Sequence, residues 1–299
     1  MKTPISYYGG KQRIASKIVK YFPNHTVYVE PFCGGAAVFF TKPLPMITNS
    51  THYREVLNDK NELLVNFFRV LRSDDGEELI RHLKLTPYSK AEHKKAVEIC
   101  KNPNGASDLE KAWAYYVNIN QSFAKIENGG WGFGLFTQNH CVTWSNGNNR
   151  LKSPLDRLQS VYIECDDAIN IIKKWDSPQT LFYCDPPYIG TDQNYEFKID
   201  DSYYKNLILA LNNAEGSFVL SGYDNNYVPD EWFTIRFEVK IFASKIKEVS
   251  IDKERTECIW IVDRSENVRP EIKKIFNTQG FDCFGRYKFE KAKVINETY

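Results

Sequence analysis

The stretch "TLFYCDPPYIG", Thr180 to Gly190, decides how this chain is read. An apolar, aromatic-rich run predicts a buried strand that stops abruptly at an acid, two prolines and a tyrosine. Residues that precede proline are pushed to extended geometry, so Asp185 and Pro186 are both extended. Neither proline carries an N–H, so the strand's hydrogen-bond ladder ends there. The acid therefore sits at a strand's carboxyl end, which is where open α/β sheets bind ligands. A turn alone would account for Asp-Pro and Pro-Pro. It does not account for an acid, two prolines and an aromatic ring together after so apolar a strand.

Working outward, other segments repeat the strand-then-helix pattern. "HTVYVEPFCGGAAVFF" predicts a strand over Thr26 to Glu30, a tight turn at Gly34 and Gly35, and a helix from Ala36. "REVLND" predicts a second strand, Arg54 to Asp59, that also ends in an acid. The character changes over Glu62 to Gln121, where apolar residues recur every three or four positions and predict four helices. "NGGWGFGLFTQNHCVTWSNGNN" follows, and its glycines and asparagines predict a loop or irregular hairpin. From Leu151 the alternation resumes. "VYIEC", "TLFYC" and "SFVLSGY" are strands, with helices around 167–174 and 202–213, and "WFTIRFEVKIFA" and "ECIWIV" are paired strands near a sheet's end. The whole predicts an open α/β sheet covered on both faces. It is discontinuous, formed by residues 1–62 and 151–299, with a helical insert at 63–150 that overhangs the ligand crevice and suits substrate recognition.

Composition narrows the function classes. At 299 residues, 42% hydrophobic and 26% charged, the chain is an ordinary globular sequence with ample length for a core. A net charge of +1 excludes a globally basic nucleic-acid binder but not a locally basic one. No run approaches a membrane span, and MKTPISYYGGK lacks an apolar signal segment. Seven cysteines without a CxxC pair read as buried free thiols in a reducing compartment, hence cytoplasmic. Five scattered histidines without ligand spacing predict no metal. The absence of GxSxG and Walker motifs removes support for nucleophilic hydrolysis and P-loop chemistry.

Four strand ends carry candidate chemistry. In "EPFCGG" glycines allow close backbone approach to a ligand, and a helix N-terminus follows. Asp59 lies near the spacing of about 20 residues beyond such a turn at which an acid grips ribose hydroxyls. Taken alone it serves equally as a cap for the next helix. Asp166, in "YIECDDA", either holds an adenine amino group or caps its helix. A ribose-gripping acid without a GxGxxG phosphate cradle points to a nucleoside-type cofactor, and S-adenosylmethionine fits. At the fourth end, after "TLFYC", the Asp185 carboxylate and Pro186 carbonyl form two rigid acceptors beside the ring of Tyr188. They match an exocyclic amine on a planar base. Two acceptors on the two hydrogens of that amine favour the pyramidal nitrogen that develops during methyl transfer, while Tyr188 stacks on the base.

"YYGGK" (Tyr7 to Lys11), "VEPFCGGAAVFF", "NDKN" around Asp59 and "YCDPPY", in that order, resemble the Dam-like alpha group of adenine-N6 DNA methyltransferases over nearly the whole chain. The resemblance implies a Rossmann-like S-adenosylmethionine-dependent fold with an inserted target-recognition domain. It also implies transfer of a methyl group to an adenine flipped out of duplex DNA, yielding S-adenosylhomocysteine. By the same resemblance Tyr7, Lys11, Phe32, Gly34, Asp59, Asp166 and Asp185 serve the cofactor, and Asp185, Pro186 and Tyr188 serve the target adenine. Asn120, Ser122 and Phe123 would lie at the DNA. "NINQSFAKIENGGWGFG" departs from the Asn-Gly-x-x-Arg-like run of GATC readers, so no target sequence is carried over.

Extruding a base costs a few kcal/mol. Lys245, Lys247, Lys253 and Arg255 are expected to grip phosphates, and Phe123 or Trp131 to fill the vacated stack. Partners follow: double-stranded DNA, no membrane, a separate restriction endonuclease if any, and a monomer or weak dimer. Two other readings share these residues: methylation of adenine in RNA or of a protein glutamine, and a DNA-binding relic that no longer methylates.

Overall fold

The computed structural model describes residues 1–5, 10–43, 52–134, 139–188, 199–239, 255–265 and 295–297. Its strands are β1 (Val27–Glu30), β2 (Arg54–Asn58), β3 (Val161–Glu164), β4 (Thr180–Cys184), β5 (Ser217–Tyr223), β6 (Phe233–Val239), β7 (Arg255–Val262) and β8 (Ile295–Glu297). Its α-helices are α1 (Ala15–Ile18), α2 (Ala37–Thr41), α3 (Glu62–Arg72), α4 (Gly76–Leu85), α5 (Lys90–Lys101), α6 (Asp108–Gln121), α7 (His140–Asn148), α8 (Lys152–Leu158), α9 (Ala168–Trp175) and α10 (Asp201–Asn213). They belong to two compact units. The first holds Met1–Lys20, Phe32–Ala168 and Asn194–Phe197; the second holds Tyr21–Pro31, Ile169–Gln193 and Lys198–Tyr299.

In the first unit β2 and β3 pair in parallel, from Glu55 opposite Val161 to Asn58 opposite Glu164. The four helices expected between Glu62 and Gln121 are α3 to α6. Asn61 caps α3 by accepting the amides of Leu63 and Leu64, each at 3.1 Å. Ser107 and Glu110 close a capping box at the start of α6. Helix α6 is buried from Ala112 to Ile119, with α3 and α5 against it. Phe67 of α3 stacks on Tyr116 of α6 with centroids 5.5 Å apart. Each such fully buried aromatic contributes about 1.5–3 kcal/mol. At the amino end of β2, the buried Glu55 meets Lys42 at 2.9 Å and Arg157 at 2.6 Å, tying the end of α2 and helix α8 to the strand.

The Gly/Asn-rich segment departs from expectation. Its second part is a packed helix, α7, rather than loop. Asn139 caps it by accepting the amides of Cys141 and Val142. Trp144 is buried and donates to Thr86 O at 2.8 Å, and Asn148 donates to Leu83 O at 2.9 Å. Tertiary anchors thus override a composition that favours turns. The first part is the expected irregular hairpin, bridged at Ser122 and Trp131.

In the second unit β1, β4 and β5 run parallel, β7 pairs antiparallel with β5 and with β6, and β8 pairs parallel with β6. Every residue of β4 is buried, as its composition requires. Asp200 caps α10 through the Tyr203 amide at 2.7 Å. Parallel strands joined through helices, closed by an antiparallel pair, give the mixed, Rossmann-like α/β architecture that the alternation implied. Among the described residues no helix is long and apolar enough to cross a membrane. Among the described residues the cysteines are free, but not all of these are buried as expected: Cys141 and Cys165 are exposed.

Candidate active site

In the first unit the turn after "EPF" is built around a carboxylate. Gly34 and Ala36 adopt left-handed φ values of 47° and 53°, which closes the chain sharply into α2. Cys33 donates its amide to Asn58 O at 2.8 Å. Asp59, just past β2, accepts the Gly34 amide on Oδ2 at 2.9 Å and the Asn61 amide on Oδ1 at 3.0 Å. Burial raises the Asp59 pKa despite bonds from the amides of Asn61, Gly34 and Lys60 that favour the anion. The two carboxylate oxygens offer about four lone-pair sites, so the three amides of Gly34, Asn61 and Lys60 leave capacity for a ligand hydroxyl; the residues fit a ribose. The carboxylate also braces the turn, a role the sequence reading did not anticipate. Lys11 is buried, and Phe32 is half-buried beside this turn. Tyr7 lies outside the described residues.

Asp166 is exposed, and its backbone is clamped by the side chain of Asn58. Asn58 Nδ2 donates to Asp166 O at 3.0 Å, and the Asp166 amide donates to Asn58 Oδ1 at 2.9 Å. The Asp166 carboxylate accepts the Asp167 amide at 2.6 Å where the chain enters α9.

In the second unit the DPPY segment leaves the carboxyl end of β4. Asp185 Oδ1 accepts the Tyr188 hydroxyl at 3.0 Å and the Ser221 hydroxyl at 3.1 Å. Ser221 is in turn hydrogen-bonded to Tyr183 at 3.0 Å. Tyr188 also hydrogen-bonds Glu257 of β7, and its ring packs edge-on against Tyr223 with centroids 4.5 Å apart. Burial, with the charges of Asp185 and Glu257, pushes the Tyr188 phenol well above its ordinary pKa. Burial together with Asp185, Glu30 and Glu257 does the same to Tyr183, against its hydrogen bond with Ser221. Pro186 is buried; Asp185 and Tyr188 are half-buried. An acid held by two hydroxyls at a strand's carboxyl end, next to a proline-locked carbonyl, presents oxygens able to accept from an N–H donor.

The family model for D12 class N6 adenine-specific DNA methyltransferases matches residues 7–230, a span that contains both acids and the DPPY segment. The chain belongs to that family. Methyl transfer to adenine N6 in DNA is the chemistry of this adenine-specific methyltransferase family. The chain is 27% identical over 225 residues to the DNA N-6-adenine-methyltransferase of Escherichia phage P1, a stretch covering 69% of this chain and 27% of that protein. It is 25% identical over 235 residues to the type II methyltransferase M.MjaIII of Methanocaldococcus jannaschii, covering 67% of this chain and 76% of that one. The retron Ec67 DNA adenine methylase of Escherichia coli is 24% identical over 238 residues, covering 74% and 76%.

The residues that this D12-class chain was expected to turn toward DNA differ in exposure. Phe123 is 52% exposed on the turn after α6. Ser122 is buried, its hydroxyl donating to Ile119 O at 3.1 Å, and Asn120 is half-buried, donating to Tyr116 O at 3.0 Å. Trp131 is half-buried and stacks on the exposed Phe133. Lys245, Lys247 and Lys253 lie outside the described residues, and of Arg255 only the backbone, at the start of β7, is described. No cluster of metal-ligating side chains occurs among the described residues. Sequence reasoning placed no role on Ser221 or Glu257. For Glu257 the signal was present: an acid opening the apolar run "ECIWIV" is a charge that a central strand must bury.

Proposed function

We propose that this chain is a site-specific methyltransferase acting on the N6 amine of an adenine flipped out of duplex DNA, with S-adenosylmethionine as donor. The observation that carries the reading is Asp185, fixed on Oδ1 by Tyr188 and Ser221 at the carboxyl end of β4, in a chain of the adenine-specific family. When bound, S-adenosylmethionine supplies an electrophilic methyl group on a sulfonium. Asp59 accepts ribose hydroxyls, and Tyr7, Lys11, Phe32, Gly34 and Asp166 complete the cofactor contacts.

Asp185 and the Pro186 carbonyl each accept one hydrogen of the target amine. An aromatic amine is a poor nucleophile because its lone pair is delocalised into the ring. Two fixed acceptors stabilise the pyramidal nitrogen whose lone pair is free to attack, and they act at the atom where charge develops. Tyr188 orients the base. The helical insert, 63–150, reads the DNA, with Asn120, Ser122 and Phe123 near the duplex and Lys245, Lys247, Lys253 and Arg255 on phosphates.

The test is transfer of a tritiated methyl group from S-adenosylmethionine to DNA, RNA and protein, with methylated-base sequencing of DNA from cells expressing the chain. Label in DNA adenine that Asp185→Ala abolishes supports the reading. Label in RNA or protein alone, or substantial turnover by Asp185→Ala, overturns it.

A further inference from the structure

The hairpin that follows α6 is tied to the carboxylate of the glycine turn through the side chain of Asn61. The Asn61 amide donates to Asp59 Oδ1 at 3.0 Å, and its side-chain Oδ1 accepts the amides of Leu63 and Leu64 at the start of α3. With Oδ1 committed to the helix, Nδ2 is the half of the side-chain amide that faces the hairpin. It donates to Glu127 Oε2 at 3.2 Å, across 66 residues of chain. Asn61 is only 3% exposed, so both halves of its side chain are placed by these bonds.

Glu127 sits where the hairpin reverses. The Gly129 amide donates to Ile126 O at 3.1 Å, and Asn128 closes the turn at a left-handed φ of 55°, which asparagine adopts more readily than most residues. Asn128 is itself clasped by α6. Its amide donates to Asn118 Oδ1, and Asn118 Nδ2 donates to Asn128 Oδ1, each at 3.0 Å. Asn118 is fully buried. Farther from the tip, the Phe123 amide donates to Gly130 O at 2.7 Å and the Gly132 amide to Gln121 O at 2.8 Å. The hairpin is thus a braced body, and a displacement at its tip is passed to Asn61 instead of being absorbed by a loose loop.

We propose that Glu127 is a positioning residue for the transfer reaction: it holds Asn61, and through Asn61 the Asp59 carboxylate, so that a ligand on Asp59 tightens the hairpin and DNA on the hairpin tightens the cofactor. The inference rests on the reading of Asp59 as the ribose acid and of the hairpin as part of the DNA-reading insert. Its physical basis is that a segment already ordered by one ligand costs less to order for the second. Hydroxyls on Asp59 fix the amides around it, that of Asn61 among them, and the bond from Asn61 Nδ2 carries that order to the tip. Linkage makes the effect equal in both directions.

The experiment compares Glu127→Ala, Glu127→Gln, Asn61→Ser and the Glu127→Ala, Asn61→Ser double variant with the unmodified chain, using S-adenosylhomocysteine as the probe. Serine caps a helix about as well as asparagine but is too short to reach Glu127. In the unmodified chain, saturating S-adenosylhomocysteine is expected to slow hydrogen exchange of the Phe123 and Gly132 amides about 5- to 50-fold. It should tighten binding of a duplex carrying the methylated site by a similar factor. Glu127→Ala and Asn61→Ser should each bring both ratios to within about twofold of unity, and the double variant should match the singles. Glu127→Gln, which keeps an acceptor oxygen, should retain most of the effect. A purely structural role would change exchange with and without ligand alike and leave the ratio intact. Binding of S-adenosylhomocysteine that leaves the hairpin amides unprotected overturns the proposal, as does protection that survives either single variant. A chain that does not bind S-adenosylhomocysteine overturns the function reading itself, and this inference with it.

Discussion

Gly34 donates its amide to Asp59 Oδ2 at 2.9 Å across 25 residues of chain. The glycine turn and the acid at the end of β2 are therefore one device, since the carboxylate that would face a ribose also holds the backbone nearby. With the amides of Asn61 and Lys60 as further donors, Asp59 meets three amides, and an asparagine offers only one acceptor oxygen. Asp59→Asn then leaves one amide facing an NH2 group.

Losing one of these charge-assisted bonds is expected to cost about 1.5–3 kcal/mol. The expected outcome for Asp59→Asn is a lower melting temperature without ligand and S-adenosylmethionine binding weakened about 10- to 100-fold. Calorimetric titration and thermal denaturation check both. A variant that loses affinity with an unchanged melting temperature would show that the brace is incidental.

Ser221→Ala removes one of the two hydroxyls on Asp185 and leaves Tyr183 without its hydrogen-bonded neighbour. A net hydrogen bond of this kind is worth about 0.5–1.5 kcal/mol. We expect kcat to fall roughly 3- to 10-fold, with the dissociation constant of S-adenosylmethionine unchanged. Single-turnover methyl transfer beside equilibrium binding checks the split. An effect confined to cofactor affinity contradicts the assigned geometry.

How much of this was legible in the chain can be argued from single residues. β4 and its DPPY end were readable because an all-apolar strand that stops at two prolines has few structural alternatives. The four helices from Glu62 to Gln121 were readable because their apolar spacing agrees with their caps. Helix α7 was not, because what holds it is Trp144 reaching Thr86 and Asn148 reaching Leu83, contacts made across more than fifty residues. The brace at Asp59 and the link from Glu257 to Tyr188 escaped for the same reason. Both are pairings of distant residues that no local spacing encodes. Ser122 shows the converse: a polar residue expected at the DNA whose hydroxyl is spent on the carbonyl of Ile119.

Glu55 gives a prediction about acid stability. Burial alone would raise its pKa, but Arg157 and Lys42 outweigh burial and hold the carboxyl below the ordinary glutamate value. A depressed folded pKa contributes stability above the unfolded value and loses it as pH falls through the folded one. Glu55→Gln strands two buried cations, which should destabilise the first unit by about 3–5 kcal/mol at neutral pH. The variant's melting temperature should also fall less steeply than that of the unmodified chain as pH drops below about 4.5. Parallel acid limbs for the two proteins would exclude Glu55 as the titrating group.

Phe123 carries the last prediction. Its ring is 52% exposed at the end of α6, and the turn it opens continues through Ala124 and Lys125 at left-handed φ values of 53° and 59°. Non-glycine residues held there store strain of about 1–3 kcal/mol each, so a costly backbone presents an apolar ring to solvent. A ring that enters the stack where an adenine has left offsets part of the few kcal/mol that extrusion costs. That contribution matters only when the base must be unpaired first. Phe123→Ala should therefore lower kcat/KM about tenfold on duplex DNA, near 1.4 kcal/mol, while leaving a substrate whose target adenine is mismatched almost unaffected. Fluorescence of 2-aminopurine at the target position should show less unstacking with the variant. Equal loss on paired and mismatched substrates would mean that the ring contacts DNA without serving extrusion.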